Sequence, residues 1–353
     1  KIMRLASARQ IPIVPRGAGT SLSGGPLPLL GGIALALARM NKIVELDKDN
    51  LVATVEPGIV NADFQNALLP MGLMYPPDPA SMNVCTLGGN VAMCSGGPRC
   101  LKYGVTRDYV LGLEVVLASG EVIHPGGRCV KDVSGYDLTR LFVGSEGTLG
   151  VITKITVRLM PQPEGKKTML AVFDAVEDAG KAVSDIIAHG IVPTTLELMD
   201  NLLIQCAEDF THVGLPRDAE AILLIEVDGA VEPLERQMQQ IEAVCRQNRV
   251  KEMRRATNPK EVEDLWRARR TVIGAVARLR PSYDLQDITV PRSELPKIIA
   301  AIRDISKRYD LPIGVLAHAG DGNLHPLILF DRRNEDEVRR VHELQREIFQ
   351  RAL

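Results

Sequence analysis

Pro15-Arg16-Gly17-Ala18-Gly19-Thr20-Ser21-Leu22-Ser23-Gly24-Gly25 is the stretch on which the reading of this 353-residue chain turns. Four of its residues are glycine, and four more (Ala18, Thr20, Ser21, Ser23) are small. It has almost nothing to bury. Glycine lets the backbone take positive-φ turns and come close to a ligand. Successive N–H groups in such a loop can form an anion-binding concavity, and the Thr and Ser hydroxyls add donors. The two readings are a cradle for a pyrophosphate and a flexible surface loop. The stretch fails the dinucleotide fingerprint: after Gly17-Ala18-Gly19 the third glycine position holds Leu22, and no clear helix follows. It fails the Walker pattern too, since no Gly-Lys-Ser/Thr comes after it.

Two further small-residue blocks lie within the first 150 residues. One is Thr86-Leu87-Gly88-Gly89-Asn90 and its continuation to Gly97. The other runs from Lys131 through Asp137 to Gly144-Ser145-Glu146-Gly147-Thr148-Leu149-Gly150. Separate loops of this kind can converge on one long polar ligand and contact it through the backbone.

Hydrophobic periodicity places short strands at 11–14, 33–37, 43–46 and 51–55, then a helix capped by Asn61 and stopped by Pro70 and Gly72. A hairpin follows at 110–117 and 121–124 around Ala118-Ser119-Gly120, then a strand at 151–159. The second half alternates strands (169–173, 194–198, 221–227, 288–290, 313–318, 324–330) with amphipathic helices (176–189, 232–247, 261–278, 294–309, and one starting near Asn334). This is an α+β or α/β layout, and βαβ units fit it. Pro161-Gln162-Pro163 marks a boundary, giving expected domains of 1–162 and 163–353. Residues 1–10 read as the middle of a helix and Leu353 ends inside a helical pattern. The expectation is therefore a first domain without its N-terminal part and a second without its C-terminal end.

Composition is ordinary for a globular protein, with 45% hydrophobic and 24% charged residues. A net charge of −2 makes no electrostatic case for nucleic acid or an anionic membrane as the main partner. No apolar run is long enough for a transmembrane segment, and no signal-peptide layout is present. The six cysteines (Cys85, Cys94, Cys100, Cys129, Cys206, Cys245) form no CxxC pair, which argues against an iron–sulfur cluster or structural zinc and for reduced thiols in a cytoplasmic protein.

With these motifs in order, together with His318-Ala319-Gly320-Asp321-Gly322-Asn323-Leu324-His325, the chain resembles the FAD-linked oxidoreductases of the vanillyl-alcohol-oxidase type. Among them it is most similar to glycolate oxidase FAD-binding subunits and to D-lactate and D-2-hydroxyglutarate dehydrogenases. The resemblance covers nearly the whole chain. It implies a two-part PCMH-type FAD-binding domain and an α+β cap domain with an antiparallel sheet. It assigns Arg16, Gly17, Ala18, Gly19, Thr20 and Ser21 to the FAD pyrophosphate, and Pro79, Ser81, Gly88, Gly89, Asn90 and Ser95 to the middle of the cofactor. Glu146, Gly147, Gly150, Val151 and Ile152 go to the flavin and adenine ends. No histidine lies in these blocks, so the FAD is expected to be non-covalent.

His318 and His325 flank Asp321-Gly322, a strong hairpin signal. Paired strands would set the two imidazoles across from one another, within reach of one metal ion. The alternative is a pair of structural histidines. The resemblance implies a divalent metal, zinc first, with a third ligand and a general base from a later Glu-His-Gly motif, which this sequence does not contain. Leu265-Trp266-Arg267-Ala268-Arg269-Arg270 reads either as a solvated basic helix face or as a carboxylate clamp, and the resemblance assigns Arg269 to the substrate carboxylate. It places Asp287 near the site in support.

The implied activity is oxidation of a small D-2-hydroxy acid, glycolate first and D-lactate second, to the 2-keto acid, with hydride passing to flavin N5. Electrons would leave to a partner subunit, iron–sulfur or other, or to a quinone, with the protein cytoplasmic or peripheral at the inner membrane through partners. Two rivals are a non-catalytic electron-transferring flavin subunit and a flavin-free binding module.

Overall fold

Short β-branched and apolar segments separated by glycine-rich turns build the first half, and long amphipathic helices alternating with strands build the second. The computed structural model describes residues 1–353. Two compact units divide the chain, Lys1–Gln162 and Pro163–Leu353.

In the first unit α1 (Ile2–Ala8) precedes β1 (Ile13–Arg16), which pairs in parallel with β2 (Ile33–Ala36), and the glycine-rich loop connects the two strands. An antiparallel sheet follows in the order β3-β4-β8-β6-β7. Its strands are β3 (Ile43–Asp47), β4 (Val52–Val55), β6 (Val110–Val116), β7 (Val122–Ile123) and β8 (Val151–Arg158). The short strands β5 (Leu73–Met74) and β9 (Met160–Pro161) pair separately. The helices α2 (Asn61–Leu68), α3 (Leu87–Met93), α4 (Cys100–Tyr103) and α5 (Leu138–Phe142) come from the connections. Phe64, Leu68, Leu87 and Val91 from α2 and α3 pack with Leu113, Val115, Ile155 and Val157 of the sheet. Tyr75 sits between Phe64 and Tyr109, with ring centroids 5.6 and 5.8 Å away, in the tilted and edge-on arrangements aromatic quadrupoles favour.

Two local readings change here. Asn61 is the first helical residue and not the cap, because Val60 takes the cap position with an extended backbone. The Asn61 side chain is buried, donating to the Pro77 carbonyl (3.3 Å) and accepting from Gln65 (2.6 Å). Helix α3 had no sequence signal, since Gly88-Gly89 disfavours helix. The Thr86 hydroxyl caps it by accepting the Gly89 N–H at 3.3 Å, and burial of Leu87 and Val91 overrides propensity.

The second unit is organised on one antiparallel sheet in the order β13-β10-β12-β11-β16-β17-β14, with β15 pairing β17 beside β14. Its strands are β10 (Gly165–Phe173), β11 (Thr195–Asp200), β12 (Ala221–Gly229), β13 (Glu252–Arg255), β14 (Ser282–Leu285), β15 (Ile288–Thr289), β16 (Ile313–His318) and β17 (Asn323–Phe330). Its helices are α6 (Val176–Ala188), α7 (Asn201–Thr211), α8 (Val231–Gln247), α9 (Pro259–Ala275), α10 (Leu295–Tyr309) and α11 (Glu335–Ala352). The βαβ expectation needs correcting. Strands β10 and β11, joined by α6, run in the same direction, but β12 is inserted between them and pairs antiparallel to both. Strands β14 and β16, joined across α10, are split by β17 in the same way. The unit is thus two split βαβ arrangements side by side.

Helices α7 and α9 cover one face of this sheet, meeting Leu170, Val172, Met199, Ile222, Leu316 and Leu327. Gly314 permits the approach of α7, since a side chain there would strike Leu203. The alternate residues, among them Ala171, Leu198, Leu223, Ile225 and Val315, are buried on the side of α6, α8, α10 and α11. Burial on both faces explains why these strands read as apolar runs without alternation.

Asp200 ties three elements together at the end of β11. One carboxylate oxygen accepts the Leu203 N–H as the α7 cap (3.2 Å), and the other accepts the Val315 N–H of β16 (2.8 Å). Burial pushes its pKa from the usual 3.8 up to about 7. The folded state then binds this proton more tightly than the unfolded chain, so its contribution is full below about pH 4 and is lost as pH rises through 7. Below about pH 4 Asp200→Asn is expected to lower stability by about 1–2 kcal/mol, because an amide has one acceptor oxygen for two N–H donors, and this deficit should shrink as pH rises toward 7 and the wild-type carboxyl loses its proton. It should also remove the decline in urea-unfolding stability between about pH 4 and 7; an unchanged slope would refute the assignment.

Candidate active site

In the first unit the three small-residue blocks meet. Gly17 faces the Thr86 hydroxyl so closely that a Cβ there would overlap it, joining the first block to the second. Gly147, at φ +75°, lies against the Pro15 ring, joining the third block to the first. The N–H groups of Gly144 and Glu146 donate to Val91 and Ala92 carbonyls of α3, both at 2.9 Å, joining the third to the second. Gly88 is pressed on Pro57, where a Cβ would come within 2.5 Å of the proline Cβ, and Gly150 is pressed on Val115.

What this leaves open is backbone. The first loop's own bonds lie in its tip, Ser23 N–H to Ser21 Oγ (3.3 Å) and Leu27 N–H to Gly24 O (3.0 Å), so the N–H groups of residues 18–22 remain for a ligand. Arg16 ends β1 with its guanidinium folded over Gly19. The Asn90 amide nitrogen is buried with no hydrogen-bond partner. A cleft of about 190 Å³ runs along Ile13, Pro15, Gly147, Thr148, Gly150 and Val151. Strand β4 pairs only with residues 155–158, so the start of β8 keeps an open edge there. Loop N–H groups, an orphaned amide and close-approach glycines suit an extended polar ligand with phosphates. Other candidates play different parts. Val151, which lines the cleft, and Ile152 after it both have buried side chains. The Pro79 and Ser81 carbonyls close the turn before Thr86, and Ser95 O accepts the backbone and hydroxyl of Thr106.

In the second unit the face under α7 and α9 changes from apolar to polar toward one end. Across the strands, Glu226 lies opposite Thr168 and Thr195, Glu197 opposite His318, and His318 opposite Asn323. Helix α9 covers part of this row. Asn258 caps it by accepting the Glu261 N–H at 3.0 Å, and Pro259 starts it. Trp266 and Arg269, three residues apart and so on one helix face, are both buried against the sheet. Trp266 Nε1 donates to Glu226 at 3.2 Å, and Arg269 forms an ion pair with Glu197. The Glu197 oxygens are also 2.8 and 3.0 Å from His318 Nδ1.

The Arg269 side chain is 7% exposed, while Arg267 and Arg270 lie at 50% and 53%. The solvated-face reading therefore holds for the neighbours and fails for Arg269. Its Nε, like the Thr195 hydroxyl, is buried without a hydrogen-bond partner. The two histidines are not directly opposed as the hairpin signal suggested. His325 pairs in register with Leu316, so the imidazoles meet diagonally on one face, with centroids 5.1 Å apart and planes at 89°. The turn is shorter than the strict mirror placement requires, and Gly322 at φ +82° closes against the Val290 carbonyl. His325 Nδ1 has no hydrogen-bond partner, and Asp287 stands off at 3.7 Å. Asp287 itself is mostly exposed and accepts from Asn323 at 2.6 Å.

Charge follows from this packing. Burial alone would raise the Glu197 pKa, but Arg269 and His318 hold it down at about 2. Burial disfavours a charged His318, yet the Glu197 charge and hydrogen bond leave its pKa above the usual value. Burial and then His318 depress His325 to about 4. Glu197 and Glu226 carried no motif and were missed. Their available signal was an acidic residue set among the apolar positions of β11 and of β12. No group of three or more His, Cys, Asp or Glu side chains is placed to hold a metal.

Comparison with known proteins agrees with both units. Residues 1–126 match the FAD binding domain family, and residues 162–353 match the C-terminal domain of FAD linked oxidases. Glycolate oxidase subunit GlcD of Bacillus subtilis is 51% identical over 100% of this chain and 75% of that protein. A probable mitochondrial D-lactate dehydrogenase of Danio rerio is 36% identical over 98% of this chain and 69% of its own length. Among solved structures, p-cresol methylhydroxylase with substrate bound shares the fold at a TM-score of 0.76 and 19% identity, covering 98% of this chain and 75% of its own. A chain with both matches, with backbone-lined small-residue loops on one unit and a buried Arg–Glu–His cluster on the other, belongs to the FAD-linked oxidases.

Proposed function

We propose that this protein oxidises a small D-2-hydroxy acid, glycolate first and D-lactate second, to the corresponding 2-keto acid. The observation that carries the reading is Arg269, buried beside the histidine pair and joined to it through Glu197. Bound FAD supplies the hydride acceptor. The residues that would hold it are the N–H groups of 18–22 and the Asn90 side-chain amide, which fit because their donors are unspent, with the close-approach glycines of the three blocks leaving room for it.

Arg269 binds the substrate carboxylate, with Nε still free for a hydrogen bond after the ion pair with Glu197. His318 has Nδ1 committed to Glu197, which leaves Nε2 to accept the substrate hydroxyl. A 2-hydroxy acid carries its carboxylate and hydroxyl on adjacent carbons, and two groups sharing one glutamate are close enough to hold both. An expected divalent metal would be offered His325 and the same His318 Nε2, in place of the hydroxyl contact. A catalytic metal takes about three protein ligands, and the third is not among these residues, so no step is routed through a metal. Support for a separate electron-accepting subunit, iron–sulfur or other, comes from the relative named as a subunit and from the absence of any CxxC pair here. No helix is long and apolar enough to cross a membrane, so an inner-membrane location would depend on such partners.

The decisive experiment is anaerobic addition of glycolate and of D-lactate to the FAD-loaded protein. Bleaching of the flavin absorbance is expected. A stable oxidised spectrum with both acids would leave an electron-carrying role in its place. Arg269→Lys keeps the charge but loses the planar fork. It should raise the glycolate KM roughly 10- to 100-fold, the equivalent of about 1.5–3 kcal/mol for a hydrogen bond to a charged group, with flavin content unchanged. Gly17→Ala drives a methyl group into Thr86 and should weaken FAD retention by about tenfold or more at a cost of roughly 1–3 kcal/mol. Full flavin occupancy in purified Gly17→Ala protein would contradict the placement of the first loop on the cofactor.

A further inference from the structure

We infer that Glu197 is a positioning residue which, ion-paired with Arg269 and accepting from His318 at once, fixes the His318 tautomer that keeps a lone pair on Nε2. The inference deepens the proposed reaction and rests on Arg269 and His318 meeting the substrate.

The geometry leaves few alternatives. Glu197 sits in the middle of β11 with its side chain 1% exposed, so water does not satisfy it. Its neighbours on the face are Thr195 and Met199 along the strand, with His318 opposite in register. Arginine is a donor only, and one of its nitrogens contacts Glu197 Oε2. His318 Nδ1 lies 2.8 and 3.0 Å from the two oxygens. A carboxylate flanked by a guanidinium has no proton to give, so the imidazole must donate, and the Nδ1 position must carry the hydrogen. In the neutral ring this leaves Nε2 as the acceptor. Unconstrained imidazoles distribute the proton over both nitrogens, so Glu197 removes a choice the ring would otherwise have. The same carboxylate orients the guanidinium. The carboxylate anchor and the hydroxyl acceptor are therefore referenced to a single side chain on a central strand.

An amide cannot do this. Glutamine has one oxygen and one NH2 group. Its oxygen must turn to Arg269, because NH2 facing a guanidinium N–H would bury donor against donor. The NH2 then faces His318 Nδ1, which must become the acceptor, and the proton moves to Nε2. Glu197→Gln, nearly isosteric, is thus expected to invert the tautomer, whereas Glu197→Asp keeps an ionised two-oxygen acceptor at a shorter reach.

The test uses the FAD-loaded protein labelled with ¹⁵N in histidine, at a pH well above the imidazole titration, with the His318 signals identified by their loss in His318→Gln. Wild type should show protonated Nδ1 and unprotonated Nε2, and Glu197→Gln the reverse. In parallel, kcat/KM for glycolate should fall about 10²- to 10⁴-fold in Glu197→Gln, the range for loss of a carboxylate that orients a catalytic imidazole. Glu197→Asp should recover to within about tenfold of wild type. Unfolding midpoint and flavin content are measured for each variant, so a folding defect is separated from a positioning one. A wild-type His318 protonated on Nε2 overturns the inference even if no variant folds. So does a folded, flavin-loaded Glu197→Gln protein with wild-type tautomer or turnover, or a Glu197→Asp protein no better than Glu197→Gln. Wild type that binds FAD yet oxidises neither glycolate nor D-lactate refutes the proposed function instead, and the NMR result then decides the tautomer on its own.

Discussion

The ion pair between Glu197 and Arg269 constrains the second unit more than any other contact. Each ion costs several kcal/mol to remove from water, and removing one partner of such a pair costs about 3–5 kcal/mol because the other stays buried and charged. The chain meets that cost by adding His318 as a further donor and by placing all three groups on elements that cannot drift independently. Glu197 and His318 are opposite each other in adjacent strands, and Arg269 comes from a helix packed across them. The pair adds little net stability by this accounting. What it contributes is a fixed orientation for two groups that would otherwise be long and rotatable.

Helix α9 is pinned twice for the same reason. Trp266 and Arg269 are three residues apart, and their acceptors Glu226 and Glu197 sit on neighbouring strands, with Thr195 opposite the first and two residues before the second. Trp266 therefore sets the rotation of the helix, and Arg269 inherits its direction from that rotation. Arg270 stacks on the outer side of Trp266 at 5.3 Å, which closes the ring from solvent. A functional side chain held by packing of its neighbours is more sharply placed than one on a loop.

The first unit solves the opposite problem. The groups its loops leave open are backbone N–H and small hydroxyls, which need no charge burial but do need close approach. That requirement is why Gly17, Gly88 and Gly150 each touch a neighbouring segment where a side chain would collide, while Gly147 takes a positive φ against Pro15. It also explains what was legible in the sequence. Close approach demands glycine at particular positions, so the three blocks announced themselves, and the strands and amphipathic helices followed from their periods. Helix α3 did not, because its Gly-Gly pair argues locally for a loop and only the Thr86 cap and the buried Leu87 and Val91 outweigh it. The split βαβ topology was hidden as well, since inserting β12 between β10 and β11 leaves no mark on either strand.

The same logic separates Arg269 from the residues around it. Three arginines within four positions look alike in sequence, and helical spacing alone assigns them to different faces without saying which face is buried. The resemblance, not periodicity, singled out Arg269, and the structure supplies the reason: it lies three residues after the buried Trp266 and so points the same way. Glu197 could be found by a related argument. In a strand buried on both faces an acidic residue must have a partner, and period-two alternation puts it on the face of Thr195 and, in the antiparallel register, of His318. Among the acidic residues buried in these strands, Asp200 is met by backbone N–H groups and Glu226 by Trp266 and Thr168, whereas the partners of Glu197 are a buried arginine and a histidine.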